Sequence, residues 1–212
     1  MTLSTTNGAS ERTGGRLYEL IAGHPVLDLV NTLDWRFRDE GPEELMADYG
    51  DLVRFVEQAG LIGHAEARRL IRNTRESKAT QIVGAARGLR EAAGQVLYAA
   101  LDGDDAPASA VAQLESCFKS ARKSQRLQPA GAGLAWVFEQ STSLPELPLW
   151  LLSLSAVDLV TSGEMERLRA CGDPGCRWLF LDTSKNHTRR WCDMKICGNR
   201  MKARRFKAQH RD

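Results

Sequence analysis

Four of the five cysteines in this 212-residue chain fall between residues 171 and 197 as two pairs, Cys171/Cys176 and Cys192/Cys197. Each pair encloses four residues, and fifteen residues separate Cys176 from Cys192. Thiolates are soft ligands, and two short Cys loops with a spacer of this length suit a tetrahedral tetra-thiolate zinc site. Gly172, Pro174 and Gly175 give CGDPGC the turn chemistry needed to wrap a metal between its two sulfurs. Four protein ligands close the shell, which points to structural zinc; a catalytic zinc keeps three ligands and an open position. His187 lies between the pairs, either as a substitute for one cysteine or as an exposed turn residue. The unit has only a handful of large apolar residues, Trp178 to Leu181, Trp191, Met201 and Phe206, so the metal is expected to decide whether it folds.

The second chemical signal is charge. Residues 171–212 hold 11 of the 29 Lys/Arg and 4 of the 27 Asp/Glu, a net of +7, which leaves −5 for residues 1–170. Arg189, Arg190, Lys195, Arg200, Lys202, Arg204, Arg205 and Lys207 form a basic set that suits a polyanion. Zinc bound by four thiolates is itself net negative, so Arg177 and Arg200 have an alternative role as charge compensation. On a helix, Arg200, Arg204, Lys207 and Arg211 fall along one stripe, where DNA phosphates would relieve their repulsion. A solvated basic face, an acidic protein partner and RNA remain alternatives at this point.

These signals need elements to carry them. Pro25 fits the first turn of a helix, and Val26, Leu29, Val30 and Leu33 follow a helical period, so a buried helix is expected there. Further helices are expected around Leu52–Val56, stopped by Gly60, over His64–Arg75 with Ala65, Leu70 and Ile71 inward, over Ala79–Leu101 and over Ala108–Arg126. Gly84, Gly88 and Gly94 would mark close helix packing, and Asp104 or Asp105 would cap the helix after the GDDAP break. Glycine and proline between two apolar pieces at Leu127–Gln140 signal a hairpin, and Leu144–Val160 reads as the core helix. Between the cysteine pairs, RWLFLD and RRWC read as two strands joined by TSKNHT, and NRMKARRFKAQ as a helix. The expected fold is mainly α: a multihelical N-terminal domain over 16–165, then a small treble-clef-like zinc finger (β-hairpin plus C-terminal helix) over 166–212. Residues 1–15 read as a disordered tail.

Competing sites are weak. There is no dinucleotide, Walker, HExxH or GxSxG motif, and no enzyme is expected. His24, Asp28 and Asn31 form a candidate polar pocket for a small ligand; the plainer reading is that they satisfy neighbouring backbone groups. Cys117 reads as an inert buried thiol, and Asp102, Asp104 and Asp105 as a solvated turn. No signal peptide or spanning segment is evident, so a cytoplasmic protein with reduced thiols and no membrane partner is expected.

Residues 197–200 spell C-G-N-R. With C-x4-C, FLDTS at Phe180–Ser184 and RRWC at Arg189–Cys192, the tail resembles the CGNR zinc finger family. GHPVLDLVNT at Gly23–Thr32 resembles the opening of the ABATE domain that commonly precedes this finger. The resemblance implies a bacterial stress-linked transcription regulator, mainly helical, with Cys171, Cys176, Cys192 and Cys197 as zinc ligands and DNA as the partner. The body would then sense a small-molecule effector or form a homodimer. A protein–protein module with a structural finger is the alternative, and an enzyme built around His24, Asp28 and Asn31 a further one.

Overall fold

A computed structural model of the chain describes residues 17–138 and 144–210. The tail expected over residues 1–15 and Arg211 lie outside them. The first element, α1 (Pro25–Asn31), starts with proline in its first turn and buries six of its seven residues. Such a helix has no solvent face, and the rest of the body is built around it. It packs on α4 (Glu76–Asp102), on α6 (Leu147–Val160) and on the strand β6 (Leu179–Leu181). Gly94 of α4 is where the first two approach: a Cβ there would lie 3.5 Å from Val30 Cγ1.

A short antiparallel pair, β1 (Leu33–Asp34) and β2 (Glu43–Glu44), leads from α1 to α2 (Tyr49–Gln58). A reciprocal capping box between Asp48 and Asp51 opens α2. Gly60, at φ +73°, closes it: Gly60 N donates to Glu57 O and Leu61 N to Val56 O, the bond pattern of a left-handed helix end. In α3 (His64–Asn73) the inward positions are Ala67 and Leu70, not Ala65 and Ile71. Ile71 is exposed because the three-residue step from Ala67 to Leu70 sets the buried stripe.

The long helix α4 ends at Gly103, φ +78°, and α5 (Ala108–Lys123) follows with Pro107 at its N-cap and no side-chain cap. Asp104 and Asp105 therefore lie ahead of the cap position, which Pro107 takes. Gly88 meets Gln113 of α5, whereas Gly84 faces open space. The expected hairpin forms as β3 (Gln125–Ala130) and β4 (Gly133–Phe138), with Leu127 opposite Trp136. It joins the body through Phe138, stacked on Trp150 of α6 at 5.6 Å.

After a short 3-10 turn (Gly163–Arg167), β5 (Leu168–Ala170) pairs antiparallel with β6. A π-helical turn (Met194–Gly198) then leads into α7 (Asn199–Gln209). Leu168, Leu179, Phe180 and Leu181 are at most 2% exposed and belong to the same core as α1, α4 and α6. The C-terminal unit is thus packed into the body instead of hanging from it. Among the described residues the fold is mainly helical, with seven α-helices, and no helix is long and apolar enough to cross a membrane.

Candidate metal centre and its basic helix

The hairpin that carries the cysteines is not the one expected. β6 pairs with β5, which precedes Cys171, and RRWC forms no strand. The first cysteine pair therefore sits at the hairpin's tip. There Cys171 N donates to Trp178 O at 2.8 Å and Cys176 N to Asp173 O at 3.0 Å. RRWC stays irregular because its backbone is tied elsewhere: Arg189 N donates to Asp182 Oδ2 at 3.0 Å, and Arg190 O accepts from Gly172 N at 2.8 Å. Gly172 allows that approach, since a Cβ there would lie 3.2 Å from Arg190 O and 3.1 Å from the Trp191 ring. Asp182 is fully buried, and its Oδ1 also accepts from Ser184 N and Oγ, which shapes the turn after FLD.

The second pair is set by the π-helical turn. Asp193 Oδ1 accepts from Ile196 N at 3.0 Å and also from Lys195 N, and this places Cys197 just ahead of α7. All four sulfurs lie within 4.8 Å of one another, and all four cysteines are buried. Sγ of Cys192 is 3.7 Å from that of Cys176 and 3.5 Å from that of Cys197. A tetrahedron with zinc–sulfur bonds of about 2.3 Å has sulfur–sulfur edges of about 3.8 Å, so the donor set fits one structural zinc ion. Packed this closely, the four sulfurs do not share one proton affinity: hydrogen bonds from Cys176 and Cys192 pull the Cys171 thiol down. The Cys171 sulfur beside them pushes Cys176 and Cys192 up, and burial does the same to Cys197. His187 is no ligand; it is an exposed turn residue at φ +50° with Nδ1 beside Asp182 O.

The basic residues divide into two groups. Arg189 is spent on the fold: it lies over the Phe180 ring at 4.3 Å and donates to the carbonyls of Trp191 (3.0 Å) and Cys192. Arg200 is spent on the metal site. Its Nε donates to Asp173 Oδ2 at 2.8 Å, another guanidinium nitrogen to Cys197 Sγ at 2.8 Å, and it stacks over Trp35 at 4.3 Å. Arg204 reaches the same carboxylate, 3.5 Å from Asp173 Oδ1, while remaining mostly exposed. Arg190, Lys195, Lys202, Arg205 and Lys207 are exposed, and among the described residues no carboxylate pairs with them. α7 has no buried residue.

Asp173 is the residue that charge patterning missed. It is fully buried, also accepts from Gly175 N at 3.2 Å, and neutralises Arg200. An acid inside a cysteine knuckle followed by a basic run was the available signal.

His24, Asp28 and Asn31 each bond backbone groups. His24 Nδ1 caps α1 by accepting from Val26 N at 3.3 Å. Asp28 Oδ1 accepts from Ala22 N at 3.0 Å. Asn31 exchanges two bonds with the backbone of Leu179. All three side chains thereby bond the backbone in or around α1, as the plainer reading expected.

Two family models match the chain in order. One described as "Putative stress-induced transcription regulator" (ABATE) matches residues 23–163, and one described as "CGNR zinc finger" matches residues 167–210. No curated protein matches it. The first match covers more than half of the chain, which belongs to the ABATE family and carries a CGNR zinc finger at its C-terminal end.

Proposed function

We propose that this chain is a DNA-binding transcription regulator that acts in the cytoplasm, catalyses no reaction, and reaches duplex DNA through α7 and the turn before it. The observation that carries the reading is that α7 buries none of its residues yet displays Lys202, Arg204, Arg205 and Lys207. A helix that buries none of its residues gains little from the core, so what its exposed face contacts is the place to look for its role. Lys195 and Arg190 extend the same charge onto the finger. Phosphates would neutralise these cations and release counterions. Arg189 and Arg200 leave the contact set, because both are held inward. A hairpin with a cysteine knuckle at its tip, then a turn and a helix, supports the treble-clef reading. Zinc, held by Cys171, Cys176, Cys192 and Cys197, supplies the cross-link that sets the start of α7.

The test is duplex binding against salt. The intact protein should bind, with log affinity falling linearly with log salt, and Lys202→Ala with Arg205→Ala should flatten that slope by about 0.9 per lost phosphate contact. No binding to duplex at low salt would sink the reading. A second reading, docking on an acidic protein, is favoured by the exposure of Met194, Ile196 and Phe206 among the cations. Under it, nucleic acid would not compete with that protein.

A further inference from the structure

Among the described residues, a cleft opens beside the four cysteines on the side that faces the body. Its volume is about 370 Å³, of the size that holds small molecules. Three of the metal ligands, Cys176, Cys192 and Cys197, line it, with Trp178 from the knuckle and Ile196 from the π-helical turn. The body contributes Trp35 and Leu45 from around the β1–β2 pair, and Leu17 and Ile21 from the chain's entry. Body and finger therefore make it together.

Its charge is one-sided. Among the described residues, Glu19, Asp34 and Asp193 line it with one cation, Arg200, and Arg38 lies near Asp34 outside the lining. The Arg200 guanidinium is already engaged by Asp173 and by the Cys197 sulfur. Loaded thiolates add more negative charge to the wall. An anion is thus disfavoured throughout.

Asp34 is half-buried, whereas Glu19 at the rim is exposed. The Asp34 Oδ1 accepts both from Trp35 N at 2.7 Å and from Trp178 Nε1 at 2.8 Å, which leaves Oδ2 without a bond among the described residues. Burial pushes its carboxyl up from the ordinary value, a cost that a cation alongside would offset. The aromatic wall already shows its preference: the Arg200 guanidinium lies 4.3 Å from the centre of the Trp35 ring. Indole and aliphatic walls cannot replace the hydration shell of a small inorganic cation. They suit a cation with an apolar body.

We propose that this cleft binds a lipophilic organic ammonium, its charge set against Asp34 and the rim carboxylates and its apolar body between Trp178, Trp35 and Ile196. Ile196 and Arg200 bracket Cys197 at the root of α7, so an occupant touches the elements that set that helix. Any effect on DNA rests on the reading above. The binding site does not.

The experiment uses the full-length, zinc-loaded protein with benzyltrimethylammonium as probe and benzoate as the anion of similar body. Indole N–H resonances report the site, since Trp35 and Trp178 line the cleft and Trp136 and Trp150 lie at the hairpin. The ammonium should shift Trp35 and Trp178 saturably, and benzoate should not. Glu19→Lys, at an exposed rim position, should weaken the ammonium about tenfold by reversing one nearby charge. Asp34→Asn keeps the acceptor for Trp178 and should weaken it as much. Equal binding of the two probes, shifts confined to Trp136 and Trp150, or full affinity in folded Glu19→Lys would each overturn the proposal. DNA is absent from the assay, so its outcome is separate from that of the DNA-binding reading.

Discussion

Asn31 and Leu179, 148 residues apart, are joined by two hydrogen bonds: Asn31 Nδ2 donates to Leu179 O at 3.0 Å, and Leu179 N donates to Asn31 Oδ1 at 2.9 Å. A side-chain amide thus continues the edge of β6 as another strand would, from inside a helix. Both partners are buried, so Asn31→Ala strands a backbone donor and acceptor away from water. The expected cost is about 2–4 kcal/mol, seen as a lower midpoint in urea unfolding. Asn31→Asp keeps only the acceptor and buries a charge, so it should be worse than alanine above pH 7.

Metal removal should be felt beyond the finger. The four cysteines belong to the same core as α1, α4 and α6, with Leu179 and Phe180 fully buried between. A strong chelator, or Cys192→Ser, should release about one equivalent of zinc per chain and expose Trp178, read as a red-shifted tryptophan emission. It should also sharply lower the thermal midpoint of the remaining helices, since structural zinc contributes on the order of 10 kcal/mol of apparent binding energy. Binding displaces protons from thiols whose affinity for them is raised, so zinc affinity should climb with pH. A body whose melting ignores zinc would show that the shared core does not couple the two.

The ligands, the helix α1 and the β3–β4 hairpin were legible because each rests on local chemistry: cysteine spacing, proline at a helix start, a glycine turn between apolar pieces. The strand pairing in the finger was not. RWLFLD and RRWC look alike as strands, but Asp182 and Gly172 tie down the backbone of the second, and the true partner of β6 lies ahead of the first cysteine. That choice is made by long-range bonds that no local pattern carries. The same holds for His24, Asp28 and Asn31: their side-chain types could suit a ligand pocket, and only the folded chain brings Leu179 to Asn31. Charge counting put Arg189 with the other cations, for it could not see Phe180, and left Arg200 between a polyanion contact and charge compensation at the metal, a choice that Asp173 and Cys197 make.

The two classes of arginine and lysine should separate experimentally. Asp173 is fully buried and Arg200 about a quarter exposed, 28%, at 2.8 Å. Breaking that pair by Asp173→Asn should cost about 3 kcal/mol, with coupling to Arg200→Gln in a double-mutant cycle of about 1–3 kcal/mol. Lys202→Ala and Arg205→Ala should leave the unfolding free energy within about half a kcal/mol of the parent, because both are exposed and neither is paired among the described residues. Arg189→Ala should behave like the first class: it loses a stack on Phe180 and three carbonyl contacts, and with them stability before any charge effect. Equal stability across both classes would mean that the inward contacts hold nothing together.

Asp28 gives the clearest dependence on pH. It is almost wholly buried in α1, and desolvation raises its carboxyl to about 6, only partly opposed by the backbone N–H groups of Ala22 and Ile21. Its ordinary value is 3.8, so between pH 3.8 and about 6 the unfolded chain gives up this proton before the folded one does. The folded state binds the extra proton there, so stability from this group falls as pH rises through that window and stays lower above it. Two pH units correspond to about 2.7 kcal/mol, an upper figure once local relaxation is allowed for. Asp28→Asn retains an oxygen for Ala22 N and removes the charge. It should therefore raise the unfolding free energy by about 2 kcal/mol at pH 7.5, with the gain shrinking toward zero near pH 4. Parallel urea titrations of parent and variant across that range measure it. A constant difference at every pH would mean that the carboxyl stays ionised and is stabilised by its backbone bonds instead.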